Sequence, residues 1–229
     1  MAGFLEERES SKPFYASVGF FEPHRPYDQP DYTPDDPGEV SVPSYLPDTP
    51  GVRLEVGQLQ GMIRSLDAAV GQILTVLEET GLKDSTLVIF TTDHGVAMPR
   101  AKGTLYDPGV GTALIMGGPG LPEGSVESSL LSNVDLLPTI LEYVGAPLHR
   151  ELNGYSFLPL LQGKPYKARD QIYVEMTWHD RYDPVRGVRT ARYKYIRSFG
   201  GRPLVYIPAD IYDSPSGEAV RDEYYGSQR

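Results

Sequence analysis

The chain has 229 residues, enough to bury one large or two modest cores, and its 21 basic against 31 acidic residues give a net charge of −10. That balance argues against a general nucleic-acid binder and leaves room only for a local cationic pocket. With no cysteine, disulfides, thiolate catalysis and zinc–thiolate sites are excluded. No apolar run reaches the roughly 18 residues that a membrane span requires.

The N-terminal MAGFLEERESSKPFY is too charged to read as a signal peptide, and it reads as an exposed helix end leading into a strand. Residues 14–21, FYASVGFF, are predicted to be that strand, bounded by Lys12-Pro13 and Glu22-Pro23. Proline then recurs at positions 26, 30, 34, 37, 43, 47 and 50, and each removes a donor and restricts its predecessor. A long irregular loop follows from this. Its attachment just after His24 points to a substrate-side loop over a cleft, with a plain linker as the other reading.

Leu59, Met62, Ile63, Leu66, Val70, Ile73, Leu74 and Leu77 recur at helical spacing and predict an amphipathic helix over roughly 54–80, closed by Gly81. Arg64 and Asp67 fall on its wetter side, and Gly61 and Gly71 are expected to allow close approach to a sheet. The β-branched run 86–92 predicts a strand buried on both faces that ends in Asp93-His94-Gly95. Helix followed by strand is half of an α/β crossover, which predicts a mainly parallel sheet flanked by helices, with ligands bound at the strand's carboxyl end.

Residues 110–116 read as another short strand, and Ser132 or Asn133 can cap a helix that runs to about Val144 with Asp135 in its first turn. Residues 152–162 form a short apolar segment. Beyond it, 171–177, 188–199 and 204–207 read as successive strands with no room for helices, hence a small antiparallel sheet.

Asp93 and His94 offer an oxygen and a nitrogen ligand where Gly95 frees the backbone, and without cysteine a hard ion such as Ca²⁺, Mg²⁺ or Mn²⁺ suits them best. An aspartate capping the next turn and a histidine with one ordinary hydrogen bond would look the same. Lys102, in AKGTLYDPG, is a compact cation for a sulfate or phosphate oxygen, or a solvated loop lysine. His24, in EPHRP, can contact an anion or act as a general acid. Arg25 can contact an anion or pair with Asp28 or Asp31. Trp178 and His179, in EMTWHDRYDP, can recognise a sugar-like substrate or simply pack a loop. His149 reads as structural or exposed. No Gly-x-Ser-x-Gly elbow, P-loop or Cys–His pair is present to supply a nucleophile.

Taken in order, KPFYASVGFFEPHRPY, STLVIFTTDHG, AKGTLYDPGVGTALIM, SNVDLLPTILEYVGAP, LNGYSFLPLLQG and VRTARYKYIRSF cover most of residues 12–199. In this series the chain resembles the type I sulfatase family of the alkaline-phosphatase-like superfamily, nearest the bacterial, heparan N-sulfatase-like and iduronate-sulfatase-like members. The resemblance implies that residues 1–165 are the C-terminal part of a catalytic α/β domain and 166–229 a small antiparallel subdomain. It implies metal ligation by Asp93 and His94, with Ca²⁺ favoured over Mg²⁺ or Mn²⁺, although many relatives carry Asn in place of this histidine. It implies sulfate contacts from His24 and Lys102 in the catalytic pocket, and it places Trp178 and His179 in a variable substrate region; Arg25 is kept as a candidate substrate contact on its residue context alone.

The implied substrate is a sulfated carbohydrate or small sulfated molecule, and members are often periplasmic, secreted or lysosomal. Members also carry a Cys/Ser-x-Pro/Ala-x-Arg segment that yields formylglycine, and paired metal-binding aspartates before it. Neither occurs among these 229 residues, so negligible sulfatase turnover is expected of the isolated polypeptide. Two other readings stand beside this one: phosphonate or phosphate ester hydrolysis on the same scaffold, and a noncatalytic carbohydrate-binding or structural protein.

Overall fold

A computed structural model describes residues 2–9, 12–148, 151–200 and 206–226. In chain order the elements are helices α1 (Ala2–Glu7) and α2 (Pro50–Glu79), strand β1 (Val88–Thr91), helix α3 (Asp107–Val110) and strand β2 (Leu114–Gly117). Helices α4 (Leu136–Tyr143) and α5 (Leu158–Leu161) follow, then strands β3 (Gln171–Trp178), β4 (Tyr182–Thr190) and β5 (Lys194–Ser198), and helices α6 (Ala209–Tyr212) and α7 (Pro215–Tyr225). The chain divides into two compact units, neither continuous in sequence: residues 1–86, 94–111 and 203–229 form the first, and 87–93 with 112–202 form the second.

The first unit is organised on α2. Thr49 Oγ1 accepts the Val52 N–H at 3.3 Å and Pro50 takes the first helical turn, so the helix starts earlier than its apolar stripe alone suggests. At the other end Gly81, at φ +68°, turns the chain and lets Leu82 N–H reach the Leu77 carbonyl at 2.8 Å. Val52, Val56, Leu59 and Met62 bury one stripe against Tyr27, Val40, Leu46, Ala97, Met98, Ile211 and Val220. Each fully buried aliphatic side chain there contributes roughly 1.5–3 kcal/mol. Ile63 and Leu74, expected on the apolar face, are exposed.

What lies against α2 is the proline-rich segment. A Cβ on Gly57 would meet the Asp35 carbonyl oxygen at 2.5 Å, and one on Gly61 the Thr33 carbonyl oxygen at 2.4 Å. The close approach expected at Gly61 is therefore made by this loop rather than by a sheet, and Gly71 has no such neighbour. Asp35 N–H donates to the Gly57 carbonyl at 3.0 Å, Arg64 pairs with Asp35, and Arg53 pairs with Asp48 at 2.5 Å. Six of the seven prolines thus lie in a strap fixed along the helix, not in a linker, and the seventh, Pro50, opens the helix itself.

At the centre of the buried stripe sits a carboxylate. Glu55 is 1% exposed; one oxygen accepts from Arg25 Nη2 and the other accepts the Ser216 N–H at 2.7 Å, in the first turn of α7. Ser214 caps α7 by accepting the Gly217 N–H at 3.2 Å. The segment 14–21, expected as a strand, is mostly exposed coil without a ladder partner among the described residues.

In the second unit, β1 and β2 pair antiparallel with Val88 opposite Gly117 and Thr91 opposite Leu114. The expected α/β class holds, and no parallel pair occurs among the described residues. The pairing is antiparallel because the chain doubles back instead of crossing over: Thr92 N–H donates to the Ala113 carbonyl at 3.3 Å, and Ala113 N–H to Thr92 Oγ1 at 3.1 Å. Strands β3, β4 and β5 form the expected antiparallel sheet in that order. Residues 188–199, read as one strand, hold the end of β4 and the whole of β5, because Thr190 N–H donates to the Tyr193 carbonyl at 2.8 Å and closes a turn. His149 and positions 204 and 205 of the last expected strand lie outside the described residues.

Asp135, 0% exposed, ties this unit together. It accepts the Ser132 N–H at 3.0 Å in a capping box, the Tyr155 N–H at 2.8 Å, and a two-pronged contact from Arg169, whose Nε lies at 2.9 Å. Burial pushes its carboxyl up, but the Arg169 hydrogen bond and the two backbone N–H donors outweigh burial and hold it below the ordinary range.

Two outcomes follow from these carboxylates. Glu55→Ala strands the Arg25 guanidinium in the core and is expected to cost about 3 kcal/mol in chemical denaturation; a loss below about 1 kcal/mol would show that the pair does not organise the unit. Because the folded-state pKa of Asp135 is depressed, its stabilisation is complete above the unfolded value of about 3.9 and is lost as pH falls through the folded value. Asp135→Asn should therefore lower stability near neutrality and flatten the acid limb of a melting-temperature profile below about pH 4.

Candidate functional site

Four of the sequence-predicted residues, His24, Arg25, His94 and Lys102, lie in the first unit with their supports. His24 is exposed, and its Nδ1–H donates to the Arg25 carbonyl at 2.8 Å. A ring held in this way presents Nε2 as an acceptor when neutral, so donation to an anion oxygen requires the imidazolium form.

Arg25 points the other way. It is buried, with Nε donating to the Ala97 carbonyl at 2.7 Å, Nη2 to Glu55, and the guanidinium 4.2 Å from the centre of the Tyr27 ring. Neither Asp28 nor Asp31 takes it. The group is committed inside the fold, and what it does there is position its neighbour. Tyr27 OH donates to the same Ala97 carbonyl at 3.1 Å, so the His24 turn is fastened by two side chains to the loop 94–111. Burial pushes the Tyr27 hydroxyl up to about 12, so it stays protonated and remains a donor.

The loop 94–111 carries His94 and Lys102 and is folded tightly on itself. Gly95 N–H donates to the Gly109 carbonyl at 3.0 Å and Lys102 N–H to the Val96 carbonyl at 3.1 Å. A Cβ on Gly95 would stand 1.9 Å from the Pro108 carbonyl oxygen, so no other residue fits there without rearrangement. Gly103, at φ +73°, turns the chain directly after the lysine, with the Tyr206 ring 2.6 Å from where its Cβ would be.

Lys102 is not a solvated loop lysine. Its side chain is 11% exposed, and Nζ donates to Asp210 Oδ2 at 2.6 Å, at the start of α6. Glu55 and Asp210, the two carboxylates that govern the cations here, were not legible as site residues. Glu55 left a signal, a charged residue in the Val52–Val56–Leu59–Met62 stripe. Asp210 left none, being 108 residues from its partner.

His94 is half-buried and its Nδ1–H donates to the Gly95 carbonyl at 2.7 Å, which fixes the tautomer and makes Nε2 the ligand-type nitrogen. Asp93 is exposed and belongs to the second unit, the division of the chain falling between these two residues. Among the described residues no group of three or more His, Asp or Glu side chains is arranged to hold a metal ion. Asp93 and His94 amount to two ligands where Ca²⁺ takes about six to eight, so the residues present do not make a complete metal site.

Trp178 and His179 are also in the second unit. Trp178 is 67% exposed at the end of β3, paired across the strands with Tyr182, and His179 Nδ1–H donates to Asp180 at 2.8 Å. An exposed indole beside an exposed tyrosine offers flat apolar area to a sugar ring.

Residues 1–146 match the sulfatase family, and residues 99–216 match the N-sulphoglucosamine sulphohydrolase C-terminal family. Over 93% of this chain the sequence is 30% identical to human N-sulphoglucosamine sulphohydrolase, spanning 49% of that protein. It is 33% identical over 75% of its length to an ulvan-active sulfatase of Formosa agariphila, spanning 29% of that protein. The chain therefore spans half or less of these curated relatives. Among solved structures, the phosphonate monoester hydrolase of Agrobacterium radiobacter aligns over 99% of this chain and 56% of its own, with a TM-score of 0.71 and 22% identity. A 2-O GAG sulfatase aligns over 100% and 54%, with a TM-score of 0.60 and 21% identity, and both likenesses speak to the fold. The chain belongs to the sulfatase family and has its alkaline-phosphatase-like fold.

Proposed function

We propose that this chain serves the hydrolysis of sulfate esters or N-sulfate groups on carbohydrate-like substrates, supplying part of the pocket that holds the sulfate. The observation that carries this reading is the double hydrogen bond from Arg25 and Tyr27 to the Ala97 carbonyl. It fixes the His24 turn to the loop that runs from His94 to Lys102, so the residues we assign to sulfate contact are held on one connected support.

A sulfuryl group in transfer spreads charge over its oxygens, and preorganised positive charge stabilises it without reorganisation at the moment of reaction. Lys102 supplies an ammonium that is positioned by backbone hydrogen bonding, and His24 supplies an imidazolium N–H from Nε2. Asp93 and His94 are the residues that would face a divalent cation, whose contribution when bound is to polarise sulfate oxygens. Trp178 and His179 belong to the second unit and, taken by themselves, are a candidate contact for a sugar ring, the one by its ring face and the other by a polar edge. The human relative's name specifies an N-sulfated glucosamine, and that is the substrate class we assign; residues 1–165 are then part of the catalytic α/β domain, whereas of 166–229 only β3–β5 form an antiparallel sheet and residues 203–229, with α6 and α7, belong to the first unit.

Calorimetric titration of the purified chain with glucosamine N-sulfate tests this directly. Binding is expected, without release of inorganic sulfate, and both Lys102→Ala and His24→Ala should weaken it about tenfold by removing a charge-assisted contact. Binding that ignores both substitutions, or a preference for phosphonate monoesters over sulfate esters, would overturn the assignment.

A further inference from the structure

The sulfate reading leaves one strongly placed charge unused, and it sits on the binding lysine itself. Asp210 Oδ2 accepts from Lys102 Nζ at 2.6 Å, with the lysine side chain 11% and the aspartate side chain 30% exposed. An ammonium has three N–H donors, and Asp210 takes one. Any anion oxygen accepting another at the usual distance of about 2.8 Å would stand about 4–5 Å from this carboxylate oxygen. The anion thus meets a lysine whose charge is already balanced, and it meets a negative neighbour at short range in a partly water-excluded setting.

We propose that Asp210 is a specificity-determining residue that tunes the Lys102 site for singly charged tetrahedral esters and against doubly charged ones. The inference rests on the reading of Lys102 as an anion contact. A sulfate monoester carries one negative charge at every physiological pH, whereas a phosphate monoester carries nearly two above its second pKa of about 6. The two groups are close in shape and in the number of acceptor oxygens, so contact geometry separates them poorly. Charge separates them well: a lysine–aspartate pair of net charge zero attracts a dianion much less than a bare ammonium would, and the carboxylate repels each added charge in proportion. Discrimination by an unfavourable neighbour is a general device for specificity.

Asp210 also positions. Its carboxylate holds Nζ, while Lys102 N–H is held by the Val96 carbonyl at 3.1 Å and Gly103 turns the chain away immediately afterwards. Positioning and charge can be separated experimentally, because an asparagine amide oxygen still accepts the Lys102 N–H while the negative charge is gone.

The test is equilibrium binding of phenyl sulfate and phenyl phosphate to the purified full chain at about pH 8, where the phosphate is a dianion. The wild-type chain is expected to favour phenyl sulfate. In Asp210→Asn the ratio of the two dissociation constants should shift about tenfold toward phenyl phosphate, and Asp210→Ser should shift it in the same direction should the asparagine variant fold poorly. In the double variant Lys102→Ala, Asp210→Asn the shift should vanish. An unchanged ratio, or a parallel weakening of both esters in the Asp210 variants, overturns the proposal while leaving Lys102 as an anion contact. Unaltered binding in Lys102→Ala removes the anion contact on which this proposal rests and overturns it; unaltered binding in both Lys102→Ala and His24→Ala overturns the sulfate reading as well.

Discussion

The arrangement of the first unit depends on what one buried carboxylate touches. Glu55 stands where the apolar stripe of α2 would otherwise take a leucine, and it is tolerated because both oxygens are satisfied, one by Arg25 and one by the Ser216 backbone. From there the connection runs in two directions: through Ser216 to α7, and through Arg25 to the Ala97 carbonyl and the loop beyond. Hydrophobic residues of matching volume in place of both Glu55 and Arg25 would keep or raise stability but take away the anchor of the His24 turn, whereas replacing Glu55 alone leaves a buried guanidinium without a counter-charge. The ion pair sets an arrangement more than it adds strength.

Each cation in the candidate site has a carboxylate or carbonyl that determines what it can do. Arg25 and Lys102 look alike as single letters in basic, glycine- or proline-bearing contexts, but Glu55 turns the first into a strut and Asp210 leaves the second a partly balanced anion contact. The two histidines make the same point. His24 and His94 each give Nδ1–H to a neighbouring carbonyl, at 2.8 and 2.7 Å, which suits a metal ligand at His94 and suits an anion donor at His24 only after protonation.

Much of this was legible before any coordinates. The period of the α2 stripe, a cap at Ser132 or Asn133 with Asp135 in the first turn, and the antiparallel C-terminal strands follow from local rules, since each depends on residues within a few positions of one another. Residues 14–21 misled because strand composition is a statement about packing within a sheet, and among the described residues no strand pairs with them. The hairpin turn at 191–193 was hidden because Ala-Arg-Tyr contains no turn-forming residue. Helix α7 was missed because its buried side, Ser216 and Val220, is short and mixed. Long-range pairings such as Lys102–Asp210 have no local signature at all.

The acceptor shared by Arg25 and Tyr27 is a main-chain oxygen, and that has a consequence for how this protein records its own history. A substitution at position 97 can change the packing there and still leave the carbonyl where it was, so the junction does not depend on which small residue occupies it. Half of the contact is therefore silent in any comparison of sequences. The audible half is the Arg25–Tyr27 spacing two residues apart, an arginine and a tyrosine either side of a proline, and it is there that a relative which has lost the junction would show the loss.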